Sequence, residues 1–209
     1  MVKYNHMNRE EILKGSALVI VAHPDDETIW MGGTIMKNPQ VDWTIFSICR
    51  KSDPDRMPKF MKVAERYGAK ALIEDVEDDG KMGVQRSVPV IRDLILSAVK
   101  KQKFDFLFTH GRNGEYGHSR HKGVHLAVRE LVKGGNLNIG RTLFFNYKKI
   151  SQEKFSQVTF KRNSTWLVRL TKEEAAAKKD VMIGYYGFDK DGIDANLCTN
   201  PEAFIEFRY

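Results

Sequence analysis

Residues 23–27 read His-Pro-Asp-Asp-Glu, an imidazole and three carboxylates within five positions. Imidazole nitrogen and carboxylate oxygen are ligands that a divalent ion such as zinc takes at about 2.0–2.2 Å. A tight turn can aim His23 and Asp26 at one point while Asp25 projects beside them. A carboxylate in that place would receive a proton from water activated by the ion, which lowers the water's pKa towards neutrality. Asp25 and Asp26 would repel each other across an apolar surface, so the pair requires either solvent or a cation. Taken alone, the cluster also admits a plainer account, in which His23 closes a strand and one aspartate caps the next helix.

A second stretch offers the missing ligand. From Thr109 the chain runs Thr-His-Gly-Arg-Asn-Gly-Glu-Tyr-Gly-His-Ser-Arg-His, and His125 follows, so four of the six histidines fall within sixteen residues. Gly111, Gly114 and Gly117 let such a loop bend closely around a small ligand. In a helix starting near His118, that residue shares a face with His121, and His121 shares one with His125. A catalytic zinc needs three protein ligands and an open position. His23, Asp26 and one of His118, His121 or His125 complete that set, and helical spacing does not choose among the three. His125 is expected against the sheet as a hydrogen-bonded core residue, and His110 is expected to order the loop from the strand end. Arg112 and Glu115 read equally well as a solvated ion pair.

Both clusters sit where strands end. The run Ala17 to Ala22 is apolar without alternation, the mark of a strand buried on both faces. Strands are expected over residues 16–22, 41–49, 70–73 and 104–109, with helices over 27–37, 58–67, 88–99 and 118–132. The alternation implies an α/β architecture with an open, mostly parallel sheet covered by helices on both faces, a three-layer sandwich. Ligands in such sheets bind beyond the carboxyl ends of the strands. Gly32 and Gly33 lower helix propensity, unless they allow close packing against the sheet. Further strands are expected over 142–147 and 165–170, and Thr171 with Glu174 three residues later suggests a capping box. Residues 1–15 read as an arm, and those beyond about residue 190 as an irregular tail. No repeat, biased tract or linker divides the chain, so 1–209 is expected to form one domain.

Composition narrows the function classes. The longest aliphatic run spans six residues, against about 20 for a membrane-spanning helix. With no apolar segment behind the basic start, neither a signal peptide nor an anchor is expected, and the location is expected to be cytoplasmic. Cys49 and Cys198 are the only cysteines. No CxxC pair exists to build a sulfur-rich zinc ribbon, and a disulfide is not expected in that compartment. The formal net charge is +7, with basic stretches at 100–103 and 148–162. These raise a nucleic-acid- or anion-binding module, with Phe144, Phe145, Tyr147, Phe155 and Phe160 as stacking residues. Burial in strands explains the same aromatics, and no specific nucleic-acid partner is expected.

Ala22-His23-Pro24-Asp25-Asp26-Glu27, followed by Gly32-Gly33, and Gly114-Glu115-Tyr116-Gly117-His118-Ser119-Arg120-His121 together resemble the LmbE/PIG-L family of zinc-dependent N-acetylglucosaminide deacetylases. The similarity runs over roughly residues 16–132. It implies a Rossmann-like fold that binds a metal where dinucleotide enzymes place a phosphate, and no GxGxxG follows the first strand here. The resemblance implies His23, Asp26 and His121 as ligands of Zn2+ and Asp25 as general base. His118 would stabilise the tetrahedral intermediate or protonate the leaving amine, Tyr116 would lie beside the oxyanion, and Arg56 would hold substrate. Two positions depart from the family. Lys59 stands where an acid is frequent, and Ser119-Arg120 where Pro-Asp is frequent. Arg120 reverses the charge, so either another group orients His118, or Arg120 binds substrate at a rim that favours an anion.

The reaction so implied removes the acetyl group from an N-acetylated amino sugar or its conjugate, by zinc-activated water. Alternatives are a zinc hydrolase acting on another amide or carbamoyl group, and the non-catalytic basic module. A purely structural metal site fits less well, because such sites close with four protein ligands. A homo-oligomer is compatible with the sequence, although no interface is legible in it.

Overall fold

The apolar run behind Gly15 becomes β1 (Ser16–Val21), an interior strand of a seven-stranded sheet in a computed structural model that describes residues 13–99, 101–150 and 157–208. β1 pairs in parallel with β2 (Asp42–Ser47), Ser16 opposite Asp42 and Val21 opposite Ser47. On its other side it pairs in parallel with β4 (Lys103–Thr109), Ala17 opposite Phe106 and Ile20 opposite Thr109. β3 (Lys70–Ile73) and β5 (Asn138–Phe145) extend the parallel sheet outwards.

Alternate residues of β1 supply two apolar layers. Ala17, Val19 and Val21 pack with Trp30 of α1 (Asp26–Lys37), Phe60 of α2 (Arg56–Arg66) and Met182 of α5 (Lys172–Gly184). Leu18, Ile20 and Ala22 pack with Ile91 of α3 (Val84–Val99) and Val124 of α4 (Ser119–Lys133). The architecture is therefore the expected three-layer α/β sandwich. Strand order runs β3-β2-β1-β4-β5, so the chain reverses its direction of winding between β1 and β4. A crevice opens at such a switch point, and both polar clusters border it.

Several boundaries differ from the sequence expectation for local reasons. α2 starts at Arg56, ahead of Pro58, because the third helical N–H has no intrahelical acceptor for a proline to lose. The Arg56 N–H is instead taken by Asp53 Oδ1 at 2.9 Å. α3 likewise begins earlier, at Val84, with Pro89 inside it. The capping box forms as expected: Thr171 accepts the Glu174 N–H, and the Glu174 carboxylate accepts the Thr171 N–H. The strand expected over 142–147 divides at Asn146, after which β6 (Tyr147–Lys149) and β7 (Val158–Phe160) form a separate ribbon.

The largest departure is the tail, which is not irregular. It contains α6 (Ile193–Asn196) and β9 (Glu202–Phe207), and β9 lies inside the sheet, antiparallel to β5 and to β8 (Trp166–Val168). Helix α1 explains why β9 opens with a buried acid. α1 breaks at Met31 (φ −151°), which leaves the N–H groups after the break without helical acceptors. Glu202 supplies them, accepting from Gly33 N–H at 2.8 Å and Thr34 N–H at 2.6 Å. Lys178 Nζ, 2.7 Å from Glu202 Oε1, balances its charge. Gly33 allows this approach: a Cβ there would fall 2.5 Å from Leu170 Cδ2.

Residues 1–12 of the expected arm lie outside the described residues, while Leu13 is fully buried. Phe144, Phe145 and Tyr147 are core residues and Phe160 is half-buried, so these four form no stacking surface; Phe155 and Lys100 lie outside the described residues. Both thiols are free, and among the described residues no helix is long and apolar enough to cross a membrane.

Candidate metal centre

The two clusters meet in the crevice. His23 follows β1 and Asp26 opens α1, while His121 stands in the first turn of α4, behind the loop after β4. Their inner atoms form a near-equilateral triangle. His23 Nδ1 lies 3.2 Å from Asp26 Oδ2 and 3.3 Å from His121 Nε2, and His121 Nε2 lies 3.3 Å from Asp26 Oδ2. Two ligands of a tetrahedral ion, each at about 2.0–2.1 Å, stand roughly 3.3–3.4 Å apart. The donor set therefore matches a small divalent ion in spacing and in type.

Proton placement supports the match. The outer nitrogens of both rings face carboxylates: His23 Nε2 lies 2.8 Å from Asp78 Oδ2, and His121 Nδ1 lies 2.6 Å from Glu115 Oε2. A neutral ring that donates outward turns its other lone pair inward, so in their neutral forms both imidazoles can aim a lone pair at the point that Asp26 Oδ2 faces. Burial alone would lower the His23 pKa, but hydrogen bonds to Asp26 and Asp78 carry it up to about 9. His121 is likewise raised: burial lowers it most, but the charge of Asp26 and the hydrogen bonds to Asp26 and Glu115 together outweigh that. The cluster attracts positive charge.

The other histidines divide as follows. His110 Nε2 accepts the Ala22 N–H at 2.9 Å and its Nδ1 meets Glu115 at 2.9 Å, so it ties the loop to β1 rather than offering a lone pair. His125 is a core residue, bonded through Nδ1 to the His110 carbonyl at 3.0 Å with its ring edge on Phe144. His118 lies close to His23 and His121, and Nδ1 of its ring accepts the Arg120 N–H as the cap of α4. That leaves its proton on Nε2, which makes it a donor rather than a ligand. Burial, and then the neighbouring His121 and His23, lower its pKa to about 4.

Neither aspartate caps α1 through its side chain. Asp26 is held by the His23 N–H on Oδ2 and by Trp30 Nε1 on Oδ1, each at 2.9 Å. Asp25 takes a left-handed φ of 116°, a costly conformation for a residue with a side chain. Buried Glu27, itself bonded to Thr28 and Tyr186, secures it by accepting the Asp25 N–H at 3.0 Å. Burial and the nearby Asp26 hold the Asp25 pKa well above the usual carboxylate range, against His23 and Arg56.

Asp25, Arg56, Tyr116 and His118 line one cavity of about 380 Å³, within the range of small-ligand sites. Arg56 Nη1 lies 3.2 Å from Asp25 Oδ2, and its guanidinium stacks over Phe188. Arg120 is not there. It is 2% exposed and turned into residues 77–82, which corrects the expectation that it meets substrate. Arg50 lines the cavity instead, with Asp78 and Asp194. Lys59, the other departure from the family, pairs locally with Asp55 at 2.7 Å. Glu115 is not solvated with Arg112 but 1% exposed, and it also accepts the Gly111 N–H at 2.7 Å. The signal for Glu115 was its place among glycines and histidines; Asp78, Arg50 and Asp194 carried none.

Fold and site define a parallel-sheet protein with a histidine–carboxylate cluster at its switch point. Residues 18–132, just over half of the chain, match the family model PIG-L, described as GlcNAc-PI de-N-acetylase, and the chain belongs to that family. Family membership supports an enzyme of the deacetylase kind. Uncharacterized protein L374 of Acanthamoeba polyphaga mimivirus is 24% identical over 127 residues, 53% of this chain and 55% of that protein. The chain thus spans about half the length of this curated relative. Among solved structures, the A40926 pseudoaglycone deacetylase Dbv21 aligns with a TM-score of 0.62 at 15% identity, over 82% of this chain and 81% of that one. A deacetylase–teicoplanin complex aligns with a TM-score of 0.59 at 10% identity, over 82% and 87%. GalB, the 4-carboxy-2-hydroxymuconate hydratase of Pseudomonas putida KT2440, aligns with a TM-score of 0.58 at 16% identity, over 94% and 97%. Likenesses at such identities speak for the fold, which hosts more than one chemistry.

Proposed function

We propose that the protein is a zinc-dependent N-deacetylase of an N-acetylated amino sugar or its conjugate, with His23, Asp26 and His121 holding the ion. The observation that carries this reading is the triangle of inner atoms 3.2–3.3 Å apart, with Asp25 lining the same cavity as His23 and Asp26. A Zn2+ ion bound there supplies a Lewis acid and a water of lowered pKa.

The chain's own residues do the rest. Asp25 takes the water's proton on Oδ1 while Oδ2 stays on Arg56. His118 donates its Nε2–H to the developing oxyanion, an interaction whose removal costs about 3–4 kcal/mol in the transition state. Tyr116, its ring 5.9 Å from that of His118, supplies a hydroxyl on the same side. The departing amine receives from Asp25 the proton taken from water, because neutral His118 carries only the Nε2–H that it donates to the oxyanion, and acetate and a free amine leave. Arg50, Asp78 and Asp194 give the cavity alternating charges that suit the hydroxyls of a sugar ring. The family description, GlcNAc-PI de-N-acetylase, is a reason to test a phosphoinositol-linked sugar as substrate.

A second reading, addition of water to a double bond, is favoured by the hydratase structure that covers 94% of this chain. Metal analysis with acetate release from N-acetylglucosamine, its oligomers, a nucleotide-linked form and a phosphoinositol-linked form separates the two. Deacetylation yields acetate from at least one substrate, and Asp25→Asn keeps the metal while turnover falls about 10²–10⁴-fold. Protein without metal, or Asp25→Asn with full turnover, overturns the mechanism, and acetate from none of the panel overturns the substrate.

A further inference from the structure

The charge reversal at position 120 leads away from substrate. A cation in the first turn of α4 faces the positive end of the helix dipole, an unfavourable placement. Burying a guanidinium also carries a desolvation cost that only close partners offset. Arg120 nonetheless is 2% exposed, and it stands one residue before His121. Its side-chain partners lie in the loop between β3 and α3. Nη2 donates to the carbonyl oxygens of Glu77 and Met82 and stands 3.6 Å from Glu77 Oε2, while buried Nε makes no hydrogen bond among the described residues and faces Asp78 Oδ1 at ion-pair distance, 3.7 Å.

Asp78 divides its carboxylate between two tasks. Oδ1 faces Arg120, whereas Oδ2 lies 2.8 Å from His23 Nε2 and 3.3 Å from Arg50 Nη2. We infer that Arg120 is a positioning residue, which through Asp78 fixes the His23 ring with its proton on Nε2 and with Nδ1 turned to Asp26 and His121. One turn of α4 then carries both a ligand of the proposed ion, His121, and the brace for the ligand opposite, His23. Without the brace His23 is free to carry its proton on Nδ1. There it would donate to Asp26 Oδ2, 3.2 Å away, and fill the place of a cation. An acid at position 120 would repel Glu77 and Asp78 and push this loop off the histidine. In this chain the carboxylate that orients His23 comes from the loop, and the arginine holds the loop.

The inference rests on the metal reading above. Its test is binding of zinc and cobalt(II) by the full chain, measured by competition with a chelator, with the visible spectrum of the cobalt form reporting the ligand set. Outer partners of metal-bound histidines typically contribute about 10–100-fold to affinity. Arg120→Met and Asp78→Asn should each lose affinity in that range with an altered cobalt spectrum, while metal-free Asp78→Asn melts close to the parent. The double variant should lose no more than the worse single one, because one residue acts through the other. Should Arg120→Met not fold, Arg120→Gln replaces it, keeping a donor for the loop carbonyls without the charge. Unchanged affinity in the Arg120 variant, or losses that multiply in the double variant, overturn the inference. A parent that binds neither ion removes the metal reading as well, whereas a parent that binds beside unaffected variants removes only the role of Arg120.

Discussion

Replacing Glu115 with glutamine perturbs the cluster without touching a proposed ligand. The wild-type carboxylate accepts three hydrogen bonds: His110 Nδ1–H at 2.9 Å, His121 Nδ1–H at 2.6 Å and Gly111 N–H at 2.7 Å. Burial alone would raise its pKa, but His110 and His121 bring it down to about 2, so the site is built around the charged form. Glutamine offers one oxygen and one NH2. With the oxygen on Gly111, the NH2 confronts two ring nitrogens that also carry protons. An amide NH2 accepts from neither, so both imidazoles must move their proton to Nε2. In His121 that atom lies 3.3 Å from both His23 Nδ1 and Asp26 Oδ2, the place read as the ion's. Metal affinity should fall about 10–100-fold, or about 1.4–2.7 kcal/mol. Loss of charge-assisted bonds costs about 1.5–3 kcal/mol each. A net loss of about 3 kcal/mol would lower the Tm of a chain this size by about 6–12 °C. Chelator competition and melting of the metal-free protein read the two effects separately. Parental metal affinity in a folded Glu115→Gln variant would refute the proton argument.

Two further substitutions probe the scaffold. Glu202→Ala strands Lys178, which is 1% exposed, and should cost about 3–5 kcal/mol in denaturant unfolding. Adding Lys178→Met should recover part of that loss, and simple addition of two losses would show that the pair does not act as one. His125→Ala should lower stability by about 2–4 kcal/mol through its lost packing and its bond to His110, with metal affinity unchanged. Lost metal at an unchanged Tm would instead make His125 a ligand.

What was legible in the sequence was local. β1 announced itself by an uninterrupted apolar run, α4 by its spacing behind a glycine-rich loop, and the Thr171 cap by two residues three apart. The two polar clusters were legible at strand ends, but spacing left His118, His121 and His125 open, and the set His23, Asp26 and His121 came from the family resemblance. What was lost depends on partners distant in the chain. Glu202 reads as a polar tail residue, yet it is buried because α1 breaks at Met31 and leaves N–H groups for it to accept. Arg120 reads as a rim charge, because its acidic partners lie about forty residues upstream in a loop without periodicity. The cap that one aspartate was expected to give α1 does not form, because His23 and Trp30, both near in sequence, hold Asp26, and Arg56 of α2 takes Asp25.

The position of β9 bears on how the molecule comes into being. A ribosome delivers His23 and Asp26 early, and domains generally assemble from the N-terminal side as they emerge. Yet the acceptor that closes the break in α1 arrives with Glu202, 169 residues after Gly33. Until Glu202 has emerged the helix that begins at Asp26 has an open seam, so Asp26 and the crevice it borders should not be fixed before then.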